Sequence, residues 1–78
     1  MDKAKFEALL SIIVASLMQK IVERRKISHD EAFFLLYGSQ LYDKLDNEKT
    51  KVWYYSVDKL YDLLEGEIST GKLELPDF

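Results

Sequence analysis

Apolar residues near the start of the chain fall on two sides of a single helix. At about 100° per residue, Phe6, Leu10, Ile13, Leu17 and Ile21 stack along one side, with Leu9 and Val14 at its margins. Ala4, Ala8, Ser11, Ala15, Met18 and Val22 follow a 4-3-4-3-4 spacing along another. One seam is bulky and the other is small. The pattern predicts a helix from about Lys3 to Arg25, and Glu23-Arg24-Arg25-Lys26 places cations on its last turn, where free carbonyls favour them. A helix with two apolar sides sits either at the centre of its own domain or between that domain and a second body.

The next elements are marked by caps. Ser28-His29-Asp30-Glu31 forms a capping box for a helix from about His29 to Tyr37. Its consecutive Ala32, Phe33, Phe34, Leu35, Leu36 and Tyr37 predict a helix buried almost all round, ended by Gly38 in a left-handed conformation. Ser39 caps a short third helix, Gln40 to about Asp46, with Leu41, Tyr42 and Leu45 facing inward. After a polar turn, Thr50-Lys51-Val52-Trp53-Tyr54-Tyr55 is β-branched and aromatic and reads as extended. Alternation would send Trp53 and Tyr55 one way and Val52 and Tyr54 the other. Ser56 then caps a last helix, whose stripe is Val57, Leu60, Tyr61, Leu64 and Ile68 and whose end is Gly71. The alternation from Lys72 to Leu75 allows a short ribbon with Val52 to Tyr55 before Pro76 stops it. The expectation is all-α: a small orthogonal bundle of three to four helices with a long N-terminal helix and one extended aromatic segment, residues 1–78 forming a single domain.

Composition narrows the class. With 78 residues, a single core is only marginally sufficient, so it must be nearly complete or shared. A content of 47% apolar and 32% charged residues excludes intrinsic disorder, and five Tyr, four Phe and one Trp supply much burial per residue. The absence of cysteine removes disulfides and thiolate zinc sites and makes a cytoplasmic location the simpler expectation. The longest apolar stretch, Ala8 to Met18, falls short of the roughly 20 residues a membrane span needs, and no secretory cleavage pattern follows it. The net charge of −3 is uneven, +3 over residues 1–26 and −6 over residues 27–78. Such asymmetry can orient a dimer or attract a basic partner, although cations matching the first helix's dipole explain it more simply.

Chemical constellations are weak. Gly66-Glu67-Ile68-Ser69-Thr70-Gly71-Lys72 has the spacing of a phosphate-binding loop, but a helix precedes it and Leu73 follows the lysine, so the strand–loop–helix context is missing. His29 stands beside Asp30 and Glu31, and adjacent helical positions diverge too far to converge on one metal. The serines at 28, 39 and 56 read as caps rather than nucleophiles. Neither catalysis nor a cofactor nor a metal is expected. Residues 27–46 can be read as a degenerate helix-turn-helix, yet residues 28–46 hold Asp30, Glu31, Asp43 and Asp46 against a single Lys44, which makes a nucleic-acid partner unattractive.

Ser39, Leu41-Tyr42, Leu45, the acidic turn Asp46 to Glu48, Thr50-Lys51, Trp53, Ser56, Leu60, Glu67, Gly71 and Pro76 form a pattern over about two-thirds of the chain. In this pattern the chain resembles a family of small uncharacterised bacterial proteins, a resemblance that implies no reaction. Members often carry His after the Trp, where this chain has Tyr54. The layout is also similar, more loosely, to small helical proteins encoded beside bacterial toxin genes, which implies an antitoxin-like or accessory binding role. The expectation is a non-enzymatic protein–protein interaction module, with another copy of the chain or another protein as partner. Ala4, Ala8, Ser11, Ala15, Met18 and Val22 form the candidate interface, since small residues at heptad spacing let helices approach closely. Tyr54 is a further contact candidate. The alternative is a nucleic-acid-binding regulator using residues 27–46.

Overall fold

Every α-helix of the computed structural model, which describes residues 2–73, begins at a side-chain oxygen that accepts from a first-turn amide. Asp2 accepts from the Ala4 amide at 3.3 Å and opens α1 (Lys3–Arg25). Ser28 accepts from Glu31 at 3.1 Å and opens α2 (His29–Tyr37). Ser39 accepts from Tyr42 at 3.1 Å and opens α3 (Gln40–Leu45), and Ser56 accepts from Lys59 at 3.2 Å and opens α4 (Val57–Thr70). Two 3-10 turns, Glu48–Thr50 and Val52–Tyr54, join α3 to α4. The described residues contain no strand, so the protein is a small all-α bundle with one long N-terminal helix.

Only one side of α1 is buried. Phe6, Leu10, Ile13, Leu17 and Ile21 meet Ala32 and Leu36 of α2, Leu41 and Leu45 of α3, Val52, and Leu60 and Leu64 of α4 in a single cluster. α1 packs against α2 and α4, and α3 closes against α4. Nine of these residues exclude water completely, Leu17 and Ile21 among them, while Phe6, Leu10 and Ile13 keep a little exposure, so the C-terminal half of the α1 stripe is better covered than its N-terminal half.

Four local expectations need correction. α2 is not buried all round: Ala32 and Leu36 are buried, while Phe33, Phe34 and Tyr37 face solvent, because no further element among the described residues lies over them. Gly38 is not left-handed, having φ −87°. Glycine is needed there for space, since a Cβ would come within 2.9 Å of the Phe34 carbonyl oxygen. The left-handed positions are instead Lys26, Lys51 and Gly71, two of them lysines that cap helices.

The aromatic segment is not extended. Asn47 caps the first 3-10 turn, accepting from the Lys49 amide at 3.0 Å, and the Thr50 hydroxyl sits 2.5 Å from the Lys44 carbonyl while accepting from the Val52 amide at 3.3 Å. Lys51 at φ 58° then reverses the chain into the second turn. Local side-chain hydrogen bonds of Asn and Thr outweigh the strand composition. Turn geometry replaces alternation: Val52 is buried, Trp53 half-buried and Tyr54 exposed. With Val52 to Tyr54 in a turn there is no strand for the expected ribbon, and Glu74 and Leu75 lie outside the described residues.

Charges fasten the helices across the core. Lys20 pairs with Asp58, and Arg25 grips Glu65 with Nε to Oε1 at 2.9 Å and Nη2 to Oε2 at 3.1 Å. Glu67 accepts from the amides of Gln40 at 2.8 Å and Leu41 at 3.0 Å, so α4 supplies a carboxylate to the N-terminus of α3. The uneven charge of the two halves is thus partly spent inside the molecule, joining α1 to α4.

Two substitutions separate space from flexibility. Gly38→Ala should destabilise by about 1–2 kcal/mol because the Phe34 carbonyl must move. Gly66→Ala should stabilise by about 0.5–1 kcal/mol, since a Cβ within α4 meets nothing within 4 Å. Urea denaturation reads both, and a stable Gly38→Ala protein would remove the steric account.

Acid sensitivity follows from the α1–α4 pairs. The Lys20 ammonium holds the Asp58 carboxyl below its usual range. Burial pushes Glu65 upward, but the Tyr61 hydroxyl and the Arg25 guanidinium outweigh it and leave the carboxyl below its usual range. Depressed folded values contribute stability above the unfolded values of about 4, lost as pH falls through the lower folded ones. Arg25→Gln should therefore lower stability at neutral pH and flatten its decline between about pH 5 and pH 3, as measured by denaturation across that range.

Candidate interaction face

The side of α1 opposite α4's grip stays open. Ala4, Ala8, Ser11 and Ala15 are exposed, and Met18 and Val22 are half-buried where they border the core. The small seam is therefore no internal helix contact. Ser11, Ala15, Met18 and Val22, with Leu10 and Val14, form the α1 side of an open groove of about 720 Å³. Tyr37 and Tyr42 form its other wall, and Gln19, Glu23 and His29 close it near the α1–α2 turn. Gln19 Nε2 donates to Glu23 Oε1 at 3.2 Å, one turn apart. Ala4 and Ala8 continue the same seam beyond the groove toward the N-terminus, and they do not line it.

The aromatic wall comes from the helix spacing and the tight turn. Phe33 and Tyr37 are one turn apart on α2 and stack at 4.3 Å with 24° between planes. The Gly38-Ser39 turn, where the Ser39 hydroxyl donates to the Leu36 carbonyl at 2.5 Å, brings Tyr42 back to within 4.3 Å of Tyr37. Phe34 stands edge-on to Phe33 at 5.9 Å. Phe33, Phe34 and Tyr37 are 47%, 75% and 38% exposed, so a run of rings faces solvent beside the groove. Burial first, and then the neighbouring Tyr37 and Asp46, push the Tyr42 phenol above its usual range. Reading α2 as a buried helix hid this wall, although the Phe33–Tyr37 spacing was a signal for it.

Tyr54 lies elsewhere. It is 76% exposed, its ring is 5.1 Å from Trp53, and Trp53 stands edge-on to Phe6 at 5.8 Å. Tyr54 lines no part of the groove.

Chemistry is sparse on this face. Its ionisable side chains are Glu23 and His29 with the two tyrosines, and among the described residues no group of three His, Asp or Glu side chains converges to hold a metal. Residues Gly66 to Thr70 of the phosphate-loop spacing belong to α4, and a small hollow of about 160 Å³ beside Gly66, Thr70 and Lys72 is at the helix's C-terminal end. Helix dipoles favour anions at the opposite end. No helix among the described residues is long and apolar enough to cross a membrane.

The pattern that carries the family resemblance has a structural role at nearly every position. Ser39 and Ser56 are caps, Leu41, Leu45 and Leu60 are fully buried, and Thr50 ties the 3-10 turn to α3. Lys51 takes the left-handed position, Trp53 Nε1 donates to the Glu48 carbonyl at 2.8 Å, Glu67 caps α3, and Gly71 ends α4 at φ 77°. Pro76 lies outside the described residues. The described residues of the pattern build the scaffold. No protein-family model matches the chain, and no curated protein or solved structure matches it at a significant level.

The outward rings give a test. Phe34→Ser should change stability by less than about 1 kcal/mol, whereas Leu36→Ala on the buried side of the same helix should lower it by about 2–5 kcal/mol. A large loss with Phe34→Ser, read by thermal denaturation, would place that ring in the core.

Proposed function

We propose that this protein is a non-enzymatic protein–protein interaction module whose binding surface is the groove between the small seam of α1 and the aromatic wall of α2 and α3. The observation that carries this reading is the pairing of an open apolar groove with a stack of solvent-facing rings on one small domain. Contiguous apolar surface on a small protein marks an interface, and Tyr and Phe that are already ordered lose little freedom on binding. The looser similarity to helical proteins encoded beside toxin genes supports a binding role of this class, an antitoxin-like one included.

The helix-turn-helix reading gains less. α3 has six residues, and besides Gln40 it turns outward Asp43 and Lys44, with Asp46 following. A recognition helix of that charge repels the phosphate backbone, and steep loss of binding with salt has no basic footprint here to produce it.

Replacing Ala8 and Ala15 together with Glu should leave the helical circular-dichroism signal and the melting temperature nearly unchanged, because both positions are exposed. A photoreactive side chain at Ala15 should give a protein adduct in cells that Ser11→Glu, an exposed position on the groove, abolishes, and the same group at Lys59 on α4 should give none. Equal adducts from both positions, or none from either, would remove this face as the binding surface.

A further inference from the structure

The geometry points to a second copy of this chain as the occupant of the groove, with the two α1 helices antiparallel and the N-terminal half of each lying in the groove of the other. This rests on the interaction-module reading and specifies its partner. The first argument is size. The seam is graded, with Ala4, Ala8 and Ser11 in its first half and Ala15, Met18 and Val22 in its second. In an antiparallel pair Ala4 meets Val22, Ala8 meets Met18 and Ser11 meets Ala15, so small opposes large along most of the seam. A parallel pair would set Met18 against Met18 and leave a gap between facing alanines.

The second argument is charge. Lys5 and Glu23 are five full turns apart at 3.6 residues per turn and so flank the seam on the same side at opposite ends. Antiparallel packing brings Lys5 of each copy beside Glu23 of the other, and two-fold symmetry makes the pair twice. Glu23 closes the groove, so Lys5 would arrive at the end where a cation fits. The third argument is area. α1 runs about 34 Å at 1.5 Å per residue, and a strip about 10 Å wide covers only about 340 Å². A stable interface needs roughly 800 Å² per partner, so the seam alone is insufficient and the Tyr37–Tyr42 wall must be engaged. The same symmetric contact covers the exposed seam of both copies and has no open end at which further copies would add.

Sedimentation equilibrium at micromolar concentration should give the dimer mass. Lys5→Glu or Glu23→Lys alone should weaken dimerisation about tenfold, and the double variant should restore it to within about threefold. The chain has no cysteine, so crosslinks can be placed freely: a mixture of Ala8→Cys and Met18→Cys proteins should oxidise to a mixed disulfide faster than either protein pairs with itself. A dimer in which Ala8→Cys pairs faster with itself would overturn the antiparallel arrangement. A monomer at every concentration would overturn the second copy as occupant, and photocrosslinking from Ala15 to a different protein would then leave the module reading standing without it.

Discussion

One stripe on α1 carries the architecture. Phe6, Leu10, Ile13, Leu17 and Ile21 are the surface onto which α2 and α4 dock, and each docking helix contributes two buried residues to it, Ala32 with Leu36 and Leu60 with Leu64. Among the described residues the remaining elements cover one side of this 23-residue helix. The charge pairs follow the same geometry, since Lys20 and Arg25 reach α4 only because the stripe has brought that helix alongside. What α1 leaves uncovered is a consequence of this arrangement, and the candidate binding face is that remainder.

Side-chain caps explain why the helices were legible in the sequence. Asp2, Ser28, Ser39 and Ser56 each fix a start through a contact made within three residues, so no tertiary information is needed to find them. The bulky stripe was equally readable because a helix of five apolar positions in register has one way to bury them. Gly38 shows the limit of such reading. Its place at the end of α2 is visible in the chain, while its reason, the approach of the Phe34 carbonyl, depends on how Ser39 folds back.

The aromatic residues were harder to place. Composition assigned Val52 to Tyr55 to an extended segment, but the left-handed Lys51 and the Thr50 hydroxyl set a turn that buries Val52 fully and leaves Trp53 half-buried against Phe6. Hydrophobicity likewise assigned Phe33 and Phe34 to the core. Burial on every side of α2 requires neighbours on every side, and counting the available elements would have shown too few. The small seam was legible as a pattern; its exposure was decided only by where α2 and α4 dock.

The solvent-facing rings carry an energetic argument of their own. Phe33, Tyr37 and Tyr42 cover part of one another's surface, each ring 4.3 Å from the next, so the exposed column hides some apolar area without a core. Stacking also narrows the rotamers open to these rings. A wall already ordered loses less side-chain freedom on association than isolated exposed rings would, and that loss is among the larger opposing terms in binding. Alanine and serine across the groove add the complementary property, since they have almost no rotamer freedom to lose. If the proposed interface forms there, an aromatic wall facing a small-residue floor would let shape select what docks, and the graded size of the α1 seam would give that selection a direction.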